Sequence, residues 1–180
     1  MSAVIRTATV DDVDAVTAIY AEHVTCGTAS FELAPPDAGE MRRRMTSLLG
    51  DEYPWLVATL DGAVVGYAYA GPYRPRPAYR YTVEDSVYLA PSAQRRGIGR
   101  ALLDRLMDAC TARGDRQMIA VIGDAANMPS IALHAAAGFV ESGRLTSVGR
   151  KFDRWLDIVL MQRMLGDGAA SAPAPRSLAR

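Results

Sequence analysis

A glycine-rich stretch with three arginines is the part of the sequence whose residue types point most directly to a ligand. It reads Gln94-Arg95-Arg96-Gly97-Ile98-Gly99-Arg100 and lies between a predicted strand and a predicted helix. Glycine lets the backbone turn tightly and come close to a ligand, and a helix N-terminus presents unpaired N–H groups and the positive end of its dipole. The stretch therefore predicts an anion site, with a pyrophosphate as its natural occupant.

Two common phosphate-binding patterns do not fit this stretch. A P-loop needs Gly-Lys-Ser/Thr at its end, which is absent here. A dinucleotide fingerprint needs a third glycine where Leu102 stands, and an acidic ribose partner further on. From the residues alone, the remaining alternative is an ordinary glycine turn with arginines on the surface.

A second motif follows downstream of the glycine-rich stretch. Its members are spaced as Asn-x2-small-x3-His-x3-Gly-Phe and are Asn127, Ser130, His134, Gly138 and Phe139. Taken together, the two motifs resemble the GNAT acetyltransferase superfamily, which often has a tyrosine where His134 stands. Shorter segments at 28–32, 82–89, 120–122, 130–134 and 149–152 narrow the resemblance to the phosphinothricin and methionine sulfoximine/sulfone N-acetyltransferases. The resemblance covers about residues 5–164.

The resemblance implies direct transfer of an acetyl group from acetyl-CoA to a primary amine, without an acyl-enzyme. Cys26 and Cys110 are consistent with this, because neither lies near a histidine in a recognisable nucleophile motif. The resemblance places the pyrophosphate of acetyl-CoA on residues 94–101, which include Ala101. It assigns further cofactor contacts to Val87, Tyr88, Leu89, Asn127 and Ser130. Asn127 is also placed to cap the helix that follows it.

Glu84 is the candidate general base. A carboxylate in a half-buried strand has its pKa raised by desolvation, towards a value useful for taking a proton at neutral pH. Glu84 also matches the base proposed for the subgroup. Asp85 should lie on the opposite face of the strand, so only one of the two carboxylates reaches a given cleft. Asp85 is a candidate for binding the substrate. The alternative is that Glu84 is an exposed or salt-bridged strand residue.

Two further roles complete the expected chemistry. The superfamily carries a strand bulge at residues 87–89, which implies backbone N–H groups free to bind the developing oxyanion. His134 is the candidate acid for the departing thiolate, since its pKa lies near neutrality. A histidine on a helix is more often structural, and its presence in place of tyrosine leaves that alternative open.

The amine-binding side is predicted from several residues. An amino-acid substrate presents a carboxylate, which suits the fork of an arginine, and Arg74 is preferred over Arg76 and Arg80 by its position in the subgroup. Other expected pocket residues are Phe31, Glu32, Tyr81 and Val83. By resemblance, Lys151 and Phe152 approach the active site of a partner in a homodimer.

The elements that position these residues follow from periodicity and turn signals. Strands are predicted at 4–8, 55–60, 63–70, 80–89, 118–122, 139–145 and 155–164, and helices after Thr9, before Gly50, at 99–113 and at 129–137. Antiparallel strands at both ends exclude a doubly wound parallel sheet. With the resemblance, we expect an α/β, GNAT-like fold: a mixed, mostly antiparallel central sheet of about seven strands flanked by helices. One domain at 1–165 precedes a disordered tail at 166–180.

Composition limits the possible partners. The 180 residues carry 20 basic and 20 acidic side chains, which argues against a general nucleic-acid binder. All basic residues except Lys151 are arginines, so a lone arginine is weak evidence, and Arg42, Arg43 and Arg44 are interpreted as a solvated helix face. Two histidines and two cysteines, without ligand spacing, predict no metal site. We expect neither a signal peptide nor a membrane span, and a cytoplasmic location.

Two alternative functions stay open on the sequence alone. The acceptor could be another amine, such as a polyamine, an aminoglycoside or a protein N-terminus. The arginines at 74–80 argue mildly against the two cationic classes. The chain could also be a CoA-binding sensor without turnover. The presence of both Glu84 and the complete glycine-rich stretch argues against this alternative.

Overall fold

The computed structural model describes residues 3–175. Within them, the strands are β1 (Val4–Thr7), β2 (Trp55–Leu60), β3 (Ala63–Pro72), β4 (Thr82–Leu89), β5 (Gln117–Gly123), β6 (Val140–Lys151) and β7 (Arg154–Met164). The α-helices are α1 (Val13–Cys26), α2 (Ala38–Gly50), α3 (Ile98–Arg113) and α4 (Met128–Ala136). Every predicted strand and helix is therefore present, with ends that differ by a few residues except in β6.

The strands form one seven-stranded sheet in the order β1-β2-β3-β4-β5-β7-β6. Neighbouring strands are antiparallel except β4 and β5, which run parallel. A parallel pair needs a crossover connection, and α3 supplies it. The predicted mixed, mostly antiparallel sheet flanked by helices is confirmed.

Both faces of the sheet are covered, and the alternation of side chains along β4 divides its residues between two layers. On one face, Val83 packs with buried leucines of α3 such as Leu102 and Leu106. On the other face, α1 and α2 pack against β2 and β3 through contacts such as Met45 with Trp55. Odd-numbered residues of β4 consequently face α3 and α4, and even-numbered ones face α1 and α2. Among residues 3–175, no helix is long and apolar enough to cross a membrane.

Local signals account for several of the turns. The Thr9 amide donates to Asp12 at 2.8 Å, which confirms the predicted capping box before α1. Asp61 and Gly62 both adopt positive φ, 51° and 84°, as a two-residue hairpin between β2 and β3 requires. Gly114 ends α3 in the left-handed region, as predicted.

Strand β6 is longer than its sequence predicts. The prediction ended at residue 145, whereas the strand continues to Lys151. Most of its side chains are exposed on both faces, so the hydrophobic alternation that marks a half-buried strand is missing. Its pairing with β7 is also irregular between Leu145 and Gly149. Backbone pairing with β7, rather than burial, extends this strand.

Among the described residues, the segment after Leu165 forms hydrogen bonds within itself and with the domain. The Gly168 amide donates to the Leu165 carbonyl at 3.0 Å, and the Tyr81 hydroxyl donates to the Ala174 carbonyl at 2.9 Å. The first contact lies within the segment, and the second uses the hydroxyl of the residue just before β4; a low-hydrophobicity composition reveals neither. Residues 176–180 lie outside the described residues, so the disorder expected for them and the domain boundary at 165 stay predictions.

Candidate active site

A gap between β4 and β5 is the centre of the site. The two strands pair from Thr82 with Gln117 to Asp85 with Ala120, and then separate. A cavity of about 60 Å³ lies at this separation. Its lining residues are Ala29, Asp85, Ser86, Val87, Tyr88, Ala120, Val121, Ile122, Gly123, Asn127, Ser130 and His134. Backbone groups of β4 beyond Asp85 that face β5 are left outside the sheet ladder.

The free backbone groups arise differently from the way the sequence predicts. A bulge was expected at residues 87–89, but β3 and β4 pair without a register shift from Gly66 with Leu89 to Pro72 with Val83. That prediction is wrong for this pair of strands. The divergence of β4 from its other neighbour, β5, instead frees those backbone groups beyond Asp85 that face β5.

The glycine-rich stretch forms the turn into α3. Gly97 has φ 77° and ψ −4° and precedes the helix without any side chain to cap it. The first intrahelical bond runs from the Ala101 amide to the Gly97 carbonyl at 3.0 Å. The preceding amides of the first turn are thus free of helix partners, and Gln94, Arg95 and Arg96 are exposed beside them. This geometry suits the binding of an anion, and we refer to it as the anion cradle.

Two residues of this stretch, Gly99 and Arg100, contact other parts of the protein. A β-carbon on Gly99 would lie 3.3 Å from Leu89 and 3.5 Å from Leu133, so this glycine serves the close packing of α3 rather than the approach of a ligand. The Arg100 guanidinium contacts Asp104 at 2.8 Å and the Ala136 carbonyl at 2.6 Å. Only the backbone of Arg100 is therefore available to the cradle.

Glu84 lies on the face of β4 that is turned towards α1 and α2, and it is half-buried. It stands opposite Gly71 of β3, which has no side chain to cover it. Burial raises the pKa of Glu84, the negative charge of Asp85 raises it further, and the positive charge of Arg74 opposes both. The structure thus brings Arg74 near Glu84 and gives this carboxylate the property expected of a general base.

Asp85 and His134 form a buried pair on the opposite face of β4. Asp85 Oδ2 lies 3.0 Å from His134 Nε2, with the side chains 1% and 5% exposed. His134 Nδ1 lies 2.8 Å from the Ser130 carbonyl. Burial lowers the pKa of His134, but the hydrogen bond and charge of Asp85 outweigh it, so that the pKa lies above its ordinary value. Asp85 therefore holds a histidine, whereas the sequence made it a candidate for holding substrate.

Asn127 caps α4 as predicted. Its side-chain oxygen accepts from the Ser130 amide at 3.3 Å, which fixes the start of the helix that carries His134. Asn127 and His134 both line the cavity at the gap. Cap and cavity wall are compatible roles for the same side chain.

The segment between α1 and α2 crosses the end of β5. A β-carbon on Gly123 would lie 2.6 Å from the Thr28 carbonyl and 2.9 Å from the Phe31 ring, so the segment rests directly on that glycine. Lys151 is buried, and its Nζ donates to the Ser30 carbonyl at 2.8 Å. Lys151 thus holds this segment of its own chain, while Phe152 is 54% exposed. The Phe31 ring thus lies against Gly123, which lines the cavity at the gap.

Three predicted residues have other surroundings. Tyr81 directly precedes Thr82, the first residue of β4, and its hydroxyl donates to the Ala174 carbonyl. Val83 is 1% exposed in the core on the α3 face. The Tyr88 ring packs on Tyr20 and Tyr67 and is structural, as the sequence indicated for its side chain.

Arg44 is a residue that the sequence patterns did not single out. It was interpreted as solvated with Arg42 and Arg43, but its guanidinium contacts Glu32 at 2.6 Å and Glu40 at 2.7 Å. It also lines a cavity of about 260 Å³ between α2 and the sheet. The remaining lining residues are Tyr20, Met41, Ser47, Leu48, Trp55, Tyr67 and Tyr69. Arg44 lies three residues after Met41 and four residues before Leu48, which is the spacing of one helix face. This spacing could have indicated that Arg44 faces the sheet with them.

The site as a whole is arranged around the gap. A carboxylate with a raised pKa lies on one face of β4, an imidazole with a raised pKa lies on the other, and an anion cradle lies at the start of α3. Such an arrangement suits acyl transfer, in which one group removes a proton from a nucleophile and another supplies one to a leaving group. Fold and site together define an acyltransferase.

Comparison with known proteins gives the family. Residues 16–139 match the acetyltransferase (GNAT) family. The chain is 56% identical over 163 residues to the phosphinothricin N-acetyltransferase of Alcaligenes faecalis, covering 91% of this chain and 83% of that one. It is 40% identical over 174 residues to the L-methionine sulfoximine/L-methionine sulfone acetyltransferase of Pseudomonas aeruginosa, covering 96% and 100%. The chain belongs to the GNAT acetyltransferase family.

A solved structure agrees with this assignment. The phosphinothricin acetyltransferase of Sinorhizobium meliloti, solved in complex with AcCoA, matches with a TM-score of 0.94 and 49% sequence identity. The match covers 97% of this chain and 94% of that one. The resemblance stated from the two sequence motifs is thereby confirmed.

Proposed function

We propose that this protein transfers the acetyl group of acetyl-CoA to the amine of a small amino acid or a close analogue, of the phosphinothricin, methionine sulfoximine or methionine sulfone type. The relatives described above, at 40% and 56% identity, are named for these acceptors. The observation that carries the proposal is the placement of Glu84 and His134 on the two faces of β4, next to the point where it separates from β5, together with the anion cradle at the start of α3.

The residues present fit acetyl-CoA as cosubstrate. The uncapped amides that follow Gly97, with Arg95 and Arg96 beside them, would hold its pyrophosphate. A β-carbon on Gly97 would meet no atom within 4 Å, so the cradle is open on that side. The backbone of residues 87–89 would hold the pantetheine and thioester in the gap. Asn127 and Ser130 would form the opposite wall.

The reaction divides between the two faces of β4. Glu84, directly or through a water, removes the proton from the acceptor ammonium, so that the neutral amine attacks the thioester carbonyl. A backbone N–H of residues 87–89 stabilises the charge that develops on the carbonyl oxygen. His134 supplies the proton that the departing sulfur needs. Phe31 forms part of the acceptor wall, with Glu32 held behind it by Tyr20 at 3.0 Å and by Arg44.

Arg74 is the group we assign to the carboxylate of the acceptor. It lies in the loop between β3 and β4, is exposed, and is near enough to Glu84 for its charge to lower that pKa. An acceptor held between Arg74 and Glu84 would present its carboxylate to one and its amine to the other. A cationic polyamine or aminoglycoside would meet repulsion from the same arginine.

Release of CoA thiol across an amine panel tests the function. The panel contains phosphinothricin, methionine sulfoximine, methionine sulfone, a common amino acid, spermidine, kanamycin and a short peptide. We expect turnover on the amino-acid members, and Arg74→Ala should raise KM for a carboxylate acceptor about ten-fold more than for its amide. Activity confined to spermidine, kanamycin or the peptide would reject the acceptor class. Binding of acetyl-CoA without any turnover would support a sensor instead.

We also propose that the protein is a homodimer formed through the β6–β7 hairpin. Large apolar side chains are exposed on this hairpin: Val140, Leu145, Val148, Phe152, Trp155 and Met164. Exposed apolar groups clustered in this way are typical of an interaction surface. Light scattering after size exclusion should give a molar mass twice the chain mass of 19.4 kDa. Trp155→Arg should shift the measured mass towards that of a single chain. A monomer at micromolar concentration would contradict the proposal.

The cytoplasmic location stays a prediction.

A further inference from the structure

The pair formed by Asp85 and His134 joins two elements that the sequence does not connect. Asp85 comes from β4 and His134 from α4, 49 residues later. Asp85 Oδ1, the second carboxylate oxygen, is buried and has no hydrogen-bond partner among the described residues. His134 is therefore the group that compensates this carboxylate, and a carboxylate this deeply buried is costly without such a partner.

The contacts of the ring determine where its protons lie. The Ser130 carbonyl can only accept, so Nδ1 at 2.8 Å carries a proton and donates it. Nε2 faces Asp85 Oδ2 at 3.0 Å, and a second proton lies between these two atoms. With an ionised Asp85, His134 is an imidazolium that donates from both nitrogens. The pair thus holds one proton more than a neutral histidine beside a carboxylate.

Other charged side chains on the elements around α4 are engaged elsewhere. Arg100 of α3 binds Asp104 and the Ala136 carbonyl, and Arg163 of β7 lies beside Gly138. Glu84 is on the opposite face of β4. Asp124, before α4, binds Thr28 and Arg154. The ring also contacts the Ser130 hydroxyl, whose Oγ lies 3.4 Å from Nδ1, and the Phe139 ring, whose centroid is 5.1 Å away. Among the described residues, Asp85 is the charged group that controls His134.

We propose that Asp85 is a positioning residue, which fixes the His134 imidazole and keeps it charged with the proton that the CoA sulfur takes up. This inference rests on the proposed acetyl transfer. When the amine nitrogen forms its bond to the acetyl carbon, the carbon–sulfur bond breaks. The sulfur then receives the proton that lies between His134 Nε2 and Asp85 Oδ2, because Nδ1 keeps its proton on the Ser130 carbonyl and both side chains line the gap. The imidazole is left neutral beside the Asp85 carboxylate and regains a proton from solvent. The proton taken up by Glu84 returns to solvent.

Nuclear magnetic resonance of the full chain tests the pairing without any need for turnover. The chain has two histidines, so the imidazole ¹⁵N signals are few, and His134→Gln assigns them. In the unsubstituted protein, both ring nitrogens of His134 should show protonated shifts at neutral pH. Asp85→Asn should lower the pH at which His134 titrates. Asp12→Asn, which removes another buried carboxylate from its arginine partner, is the matched control and should not.

A pH profile of kcat links the pair to the reaction. Because Asp85→Asn lowers the pKa of His134, its activity relative to the unsubstituted enzyme should fall as pH rises, by about ten-fold for each unit of that lowering. In a His134→Gln background, Asp85→Asn should cost little more. A constant loss at every pH would assign Asp85 a merely structural role and overturn the proposal.

Two other outcomes separate the inference from the proposed function. A neutral His134 with one bare nitrogen in the unsubstituted protein would overturn the pairing, whatever the activity, and this readout remains if Asp85→Asn fails to fold. A charged, Asp85-dependent His134 in a protein that acetylates no amine would uphold the pairing and reject the function on which its catalytic use rests.

Discussion

At the scale of single residues, Glu84 and Asp85 are adjacent carboxylates with different surroundings. The alternation of a strand sends Glu84 towards α1 and α2, where Gly71 leaves it uncovered, and Asp85 towards His134 on α4. One carboxylate is half-buried with a raised pKa, and the other is bound to an imidazole. Neighbouring groups in the chain can therefore serve opposite halves of one proton-transfer reaction.

Glu84→Gln should lower kcat/KM by about 10²–10⁴-fold, because a positioned general base contributes on that order. Burial, then the charge of Asp85, raises the pKa of Glu84, so activity of the unsubstituted enzyme should fall as pH drops through that raised value. The variant should lack this acidic limb. A kcat/KM profile from pH 5 to 9 measures both effects. Glu22→Gln, at an exposed position on α1, is the control. An acidic limb of unchanged midpoint in Glu84→Gln would remove Glu84 from the role.

At the scale of elements, the turn into α3 and the β2–β3 hairpin contain glycines of similar geometry. Gly97 and Gly62 have φ of 77° and 84°, and a β-carbon on either meets no atom within 4 Å. Alanine in the left-handed region costs about 1–2 kcal/mol, so Gly97→Ala and Gly62→Ala should lose similar stability in urea. The two positions differ in the ligand expected beside them.

Only Gly97→Ala should weaken acetyl-CoA binding, by roughly ten-fold, because its β-carbon enters the anion cradle. Isothermal titration calorimetry measures the affinity, and Gly62→Ala controls for backbone strain. Equal affinities in the two variants would mean that the pyrophosphate binds elsewhere. Gly99 is unsuitable for this test, since its β-carbon would press on Leu89 and Leu133.

A second pair of glycines tests the segment between α1 and α2. A β-carbon on Gly149 would enter the space of the Phe31 ring, whereas on Gly143 of the same strand it would meet no atom within 4 Å. Gly149→Ala should displace Phe31 and raise KM for the acceptor several-fold, with a stability loss of about 1–3 kcal/mol. Gly143→Ala should leave both close to their starting values. An unaltered acceptor KM in Gly149→Ala would place Phe31 outside the acceptor wall.

At the scale of the whole molecule, the segment after residue 165 is attached to the edge of the domain by polar contacts. Its contacts include the Tyr81 hydroxyl on Ala174 and the Arg116 guanidinium 3.6 Å from Asp167. Such contacts contribute modestly, because water replaces them in the unfolded chain. Removal of residues 166–180 should lower Tm by no more than about 5 °C and leave kcat/KM within about two-fold.

Thermal unfolding and acceptor kinetics of the shortened chain check that prediction. A large rise in acceptor KM would show that Tyr81 and the segment belong to the acceptor site after all. Failure to fold would show that the domain extends beyond residue 165, contrary to the predicted boundary.

Much of the fold was predictable because its signals are local. The Asp61-Gly62 turn, the Thr9–Asp12 capping box and the glycine at the end of α3 each act over a few residues. The glycine-rich stretch likewise indicated an anion site, since a strand, a turn and a helix N-terminus follow one another along the chain. Glu84 and Asp85 were assigned to opposite faces for the same reason, and the structure places them there.

The sequence by itself determined the order of the elements, the glycine turn into α3 and the family, because each depends on residues close together or on two ordered motifs. Only the tertiary structure decided which side chains meet across elements: Asp85 with His134, Arg44 with Glu32, and Lys151 with the Ser30 carbonyl, 121 residues apart. It also decided that β4 leaves β5 after Asp85 instead of bulging. Such meetings depend on how helices and strands pack at distances that residue spacing does not encode.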